Sequence, residues 1–223
     1  MQLKDMVIRN HISIVDMGLI WLLATPTASD REKIDGTPYT WKDYADKVFD
    51  VLMSRHPEAI LIIAVNDYYG SDVVNVKDGE HMKRSKAFLG GRTKNVYPAN
   101  DRILPNKKEF EEFFCNPLNK VRLQAFLKDS FSLRCEGLGR KILYVEKYKC
   151  TDIPDSPAHQ LVQKLRCSHL EADTAMLFVY AKIRDDDQIT PALIDSEDAD
   201  VVVLCAYPPC RISWKVALKS KTR

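Results

Sequence analysis

The chain is expected to fold as an α/β protein, with a mostly parallel central sheet and helices on both faces. Three observations predict this. Short apolar, β-branched runs alternate with segments whose apolar residues recur at helical spacing. The run Ala59–Val65 (A-I-L-I-I-A-V) has no polar break, as a strand buried on both faces requires. The order strand, helix, strand, helix, strand leaves helices to make the crossovers between parallel neighbours.

Each element follows from its residues. Val7–Val15 (V-I-R-N-H-I-S-I-V) predicts a strand that ends at Asp16, and the apolar stretch Met17–Ala24 predicts a short helical turn packed on the sheet. Thr25–Thr40, rich in Thr, Pro, Ser, Asp and Gly, predicts a loop. Thr40 is placed to cap a helix from Trp41 to about Arg55, whose Trp41, Tyr44, Ala45, Val48, Val51 and Leu52 share one face. The second strand, Ala59–Val65, runs out at Asn66-Asp67. Lys77–Leu89 predicts a helix stopped by Gly90-Gly91, then a loop over Thr93–Pro105 and helices over Lys107–Phe114 and Leu118–Phe131. Ile142–Val145 predicts a short strand, and Asp152–Pro157 a turn-rich link. Ser168 or His169 starts a helix to about Ile183, Ala192–Asp195 ends a strand, Asp200–Tyr207 is apolar, and Arg211–Leu218 predicts a last strand. No internal repeat or low-complexity tract interrupts the pattern. A chain of 223 residues fits one domain, here with a large insertion.

Composition excludes several classes. No apolar run approaches the roughly 18 residues of a membrane span, and the charged Met1–Asn10 carries no apolar leader core, so a nuclear or cytoplasmic location is expected. The six cysteines, at 115, 135, 150, 167, 205 and 210, form no C-x-x-C pair and predict free thiols rather than a zinc site. The net charge of +2 conceals a strong segregation. Residues 83–149 hold 16 basic against 7 acidic side chains, and residues 171–200 hold 9 acidic against 2 basic. A basic middle beside an acidic pole suits a protein that attracts phosphates and concentrates cations.

The acidic residues fall where such a sheet binds its ligands, beyond the carboxyl ends of the strands. Asp16 closes the first strand and Asp67 the second. Asp195, Asp198 and Asp200 follow the late strand in D-S-E-D-A-D, and Glu171 and Asp173 open the helix L-E-A-D-T-A. So many like charges at one edge would repel unless cations neutralised them, and hard divalent ions with oxygen ligands, Mg²⁺ or Mn²⁺, answer best. Two such ions can activate a water and stabilise the leaving oxygen of a phosphodiester. Any one of these acids could instead be a turn former or helix cap, and Asp185-Asp186-Asp187 reads as a solvated turn.

The ordered set resembles the flap endonuclease/XPG superfamily of PIN-like nucleases. I-V-D-M-G-L-I, A-V-N-D-Y-Y with V-K-D-G-E-H-M-K-R, L-E-A-D-T-A, and S-E-D-A-D-V-V-V-L match its four blocks in order over residues 12–204. The resemblance implies a PIN-like, Rossmannoid domain in which Asp16, Asp67, Glu171, Asp173, Asp198 and Asp200 hold Mg²⁺ or Mn²⁺, as two ions. It implies that Lys77 and Arg84, seven apart on one helix, hold the scissile phosphate. It also implies that residues 85–168 form a basic helical arch or clamp against DNA or RNA. Asn66 and Tyr68 stand where the family commonly carries an apolar residue and a glycine. Asn119, Lys120 and Arg122 match an N-K-x-R helix of related mobile-element proteins, without an assigned role. Phe88, Tyr97, Phe110 and Phe113 fit base stacking or core packing. The expected activity is metal-dependent phosphodiester hydrolysis. The alternative is a catalytically silent PIN-like module that binds nucleic acid or a protein partner. A phosphotransferase would want a D-x-D-x-T motif that Asp16-Met17-Gly18 does not supply.

Overall fold

The structure is a computed structural model that describes residues 11–32, 35–69, 94–138, 141–153, 161–169, 171–184 and 192–206. The helix expected over Lys77–Leu89 and the strand expected over Arg211–Leu218 lie outside these residues, as does Asp185-Asp186-Asp187.

Strands β1 (His11–Asp16), β2 (Ala59–Val65), β3 (Ile142–Glu146), β4 (Lys149–Ile153) and β5 (Ala192–Asp195) form one sheet in the order β4-β3-β2-β1-β5. All neighbours are parallel except the β3–β4 hairpin. The fold is therefore the expected α/β class. The alternation of β2 supplies both faces: Ile62 and Ala64 enter one core, and Leu61, Ile63 and Val65 enter the other. Helices α1 (Met17–Leu23), α2 (Ala28–Arg31), α3 (Trp41–Arg55), α4 (Lys107–Phe113) and α5 (Pro117–Leu138) precede β3. Of these, α1, α3, α4 and α5 build the first core, around Trp41, Tyr44, Phe49, Phe110, Phe113 and Phe131. Helices α6 (Leu161–Lys164), α7 (Ala172–Arg184) and α8 (Ala199–Ala206) build the second, through Leu161, Met176, Val179, Ile183 and Val201. No described helix is long and apolar enough to cross a membrane.

Local chemistry explains the boundaries. Thr40 caps α3 reciprocally, its hydroxyl accepting from Asp43 N–H while the Asp43 carboxylate accepts from Thr40 N–H. The expected link at Asp152 is instead part of β4. K-C-T-D-I carries too little apolar character to read as a strand, and it is held by its register against β3 and by Lys141 Nζ, 3.3 Å from the buried Asp152 carboxylate. Within the segment expected as an arch, 85–168, the described residues include β3 and β4 of the sheet and the core side chains of α4 and α5. Helix α7 starts at Ala172, later than expected, where the Asp67 carboxylate accepts from the Ala172 N–H. Upstream, the Cys167 carbonyl accepts from Tyr148 N–H of the β3–β4 turn at 2.7 Å. That turn holds Tyr148 at φ 57°, a left-handed conformation that costs a bulky residue roughly 1–3 kcal/mol. Cys115, Cys135, Cys150 and Cys167 are free thiols.

Candidate metal centre

The sheet order brings the acidic strand ends together. The chain passes from β1 to β2 to β3 in one direction and later places β5 on the other side of β1, so its switch point lies at the carboxyl end of β1. Asp16 is that end. Its Oδ1 accepts from Gly18 N–H at 2.8 Å, capping α1. Asp67 follows β2 and caps a helix from another part of the chain: its Oδ1 accepts from Ala172 N–H at 2.7 Å, and its Oδ2 from the Tyr69 hydroxyl at 3.0 Å. Asp173, the next residue of α7, is buried. Past β5, Asp198 caps α8, its Oδ1 accepting from Asp200 N–H at 2.9 Å.

Asp173, Asp198 and Asp200 each place a carboxylate oxygen within 4.8 Å of the others, the first buried and the other two exposed. Asp16 and Asp67 continue this group. Burial, and then the charges of Asp67 and Asp173, push the Asp16 carboxyl up to about 7, and two backbone N–H groups only partly offset them. Helix capping accounts for Asp16, Asp67 and Asp198 separately, and helix N-termini ease their repulsion. It does not account for Asp173 and Asp200 converging on the same edge. An all-oxygen donor set of this kind fits a hard divalent cation. Glu171 is half-buried just before α7 and lies outside the converging trio.

The raised Asp16 carboxyl has a signed consequence. The folded chain holds this proton more tightly than the unfolded chain. The stability tied to it is therefore complete below the unfolded value of about 3.9 and is lost as pH rises toward 7. A cation at the site must displace that proton. Affinity for Mn²⁺ is expected to climb about tenfold per pH unit from pH 5 to pH 7 and level off above. Calorimetric titration across that range checks this; a flat profile would remove Asp16 from the ligand set.

Other expected residues sort differently. Lys77 and Arg84 lie outside the described residues. Asp195, expected at the same acidic edge, turns to the opposite purpose. It is fully buried, accepts from Arg55 Nε at 2.7 Å and Arg55 Nη2 at 2.6 Å, and lies 3.1 Å from His56 Nε2. Register explains it: Asp195 pairs with Val15, which faces the core containing α3, and Arg55 and His56 end that helix. Phe110 and Phe113 are core residues, and Phe88 lies outside the described residues. Tyr97 is exposed, with the Arg122 guanidinium 3.7 Å from its ring centroid. Asn119 is buried and binds the 94–96 segment, accepting from Val96 N–H and donating to the Lys94 carbonyl.

Lys120 gains a place that its sequence did not assign. Its Nζ lies 4.4 Å from the Tyr69 ring centroid, and Tyr69 donates to Asp67. Gln124, one helical turn on, donates to the Asp67 carbonyl at 2.9 Å. Burial lowers the Lys120 pKa, and the Asp67 charge opposes that shift. Spacing within α5 alone could not show this, because the pairing depends on docking against a loop more than fifty residues away.

Compared with protein-family models, curated proteins and solved structures, the chain matches none.

Proposed function

We propose that the protein is a divalent-metal-dependent nuclease of the PIN-like type, hydrolysing phosphodiester bonds of DNA or RNA in the nucleus or cytoplasm. One observation carries the reading: carboxylates from four separate parts of the chain gather at the switch point of the sheet, where α/β folds bind ligands. Asp173, Asp198 and Asp200 would hold one ion, Mg²⁺ or Mn²⁺, and Asp16 and Asp67, with Glu171 nearby, extend the donors toward a second. Bound ions supply a water of lowered pKa and positive charge for the leaving oxygen. The chain's own residues position the substrate. Lys120 brings a desolvated cation beside Asp67, where a backbone phosphate would lie, and Lys77 and Arg84 keep the phosphate-holding role that the resemblance gives them.

Labelled single-stranded, duplex and 5′-flap DNA, and RNA, incubated with Mn²⁺, Mg²⁺ or EDTA, test the reading. Metal-dependent products are expected. Lys120→Met is expected to lower kcat by about 10²-fold, the scale of losing one electrostatic stabiliser of a transition state, with Lys120→Arg recovering part of it. Retained nucleic-acid binding with no product from any substrate would favour the second reading, a silent module. The capping roles of Asp16, Asp67 and Asp198 are what that reading rests on.

A further inference from the structure

Beside the acidic edge, the β3–β4 turn carries a cluster that the metal centre does not use. Lys147 Nζ lies 4.3 Å from the Tyr68 ring centroid and 5.0 Å from that of Tyr148. Tyr68 directly follows Asp67. The β2–β3 pairing, which ends with Val65 opposite Val145, brings the turn after β3 beside the residues that follow β2. The turn is held in place, since Tyr148 N–H donates to the Cys167 carbonyl, a few residues before the helix that Asp67 caps. Tyr148 is 65% exposed although it sits at φ 57°, where a glycine would fit more easily. An exposed aromatic ring in a backbone conformation that disfavours it gains nothing for the core.

We infer that Tyr68, Lys147 and Tyr148 form a stacking subsite for an unpaired nucleotide flanking the cleaved bond. The inference rests on the nuclease reading for its position but not for its test. The chemistry matches single-stranded nucleic acid: every base offers a π-face to the exposed Tyr148 ring, and the Lys147 ammonium close to both rings would meet the adjoining phosphate. A duplex end presents its bases already stacked and would gain less.

Tyr148→Gly separates this role from a structural one, because the two act in opposite directions. The glycine relieves the left-handed backbone, so Tm is expected to hold or rise. Affinity for a fluorescent single-stranded oligonucleotide, measured in Ca²⁺ by anisotropy, is expected to fall about tenfold, the scale of one lost base–aromatic stack. Tyr148→Phe should bind as the parent does. Lys147→Gln should weaken binding and flatten its salt dependence. If Tyr148→Gly binds within about twofold of the parent while cleavage persists, the subsite is wrong and the nuclease reading stands. If binding falls as expected but no metal yields product, the subsite stands on a module without turnover. If the parent binds no single strand, the subsite is wrong.

Discussion

Asp173→Asn is expected to remove metal-dependent cleavage, with kcat falling by about 10²–10³-fold or more while the fold persists. Asp173 is the one buried member of the converging trio, and it sits in the first turn of α7 beside the residue that Asp67 caps. Asparagine keeps the volume and one acceptor oxygen but removes the charge that an ion would need. It also eases the repulsion that raises the Asp16 carboxyl, so the metal-free variant should be at least as stable as the parent. Thermal unfolding with and without Mn²⁺, run beside the cleavage assay, gives both readings. The parent should gain stability with added ion and the variant should gain much less. Asp198→Asn should behave similarly. If both variants cut at the parental rate, the chemistry resides elsewhere.

The largest loss of stability is expected from Asp195→Ala. Its carboxylate is fully buried between Arg55, which grips both oxygens, and His56. Deleting it strands the Arg55 charge, most of which is covered, and breaking a buried pair this way typically costs about 3–5 kcal/mol. Burial opposes the Asp195 charge, but the hydrogen bonds from His56 and Arg55 outweigh it and hold the carboxyl well below its ordinary range. The folded chain therefore binds this proton more weakly than the unfolded chain. The resulting stability is present above the unfolded value of about 3.9 and is lost as pH falls below it. Urea unfolding at about pH 7 and pH 3 should show the gap between parent and variant narrowing at the lower pH. A constant gap would assign the effect to packing.

These two aspartates show how far the chain could be read before it folded. Both lie at strand or helix ends in acidic company, and sequence placed both at the same edge. The sheet faces separated them: one residue of register turns Asp195 toward α3 and away from Asp173. Local signals that depend on neighbours in sequence were legible. The cap at Thr40, the two-faced burial of Ala59–Val65 and the closure of β1 at Asp16 are examples. Signals that need a partner from afar were not. The start of α7 depends on Asp67, β4 depends on β3, and the position of Lys120 depends on the loop that Gln124 grips. Polar residues fill these places, and their partners lie far away along the chain.

The cap that Asp67 gives to α7 also bears on how the molecule assembles. Its two partners lie 105 residues apart, so the bond forms only after a long loop has been closed, against the chain entropy of that closure. The ordering of the first turn of α7 is thereby coupled to that of the second acidic loop. A chain released early from synthesis, or one trapped partly folded, would lack the assembled carboxylates. The proposed cutting activity would then require that this long-range closure be complete.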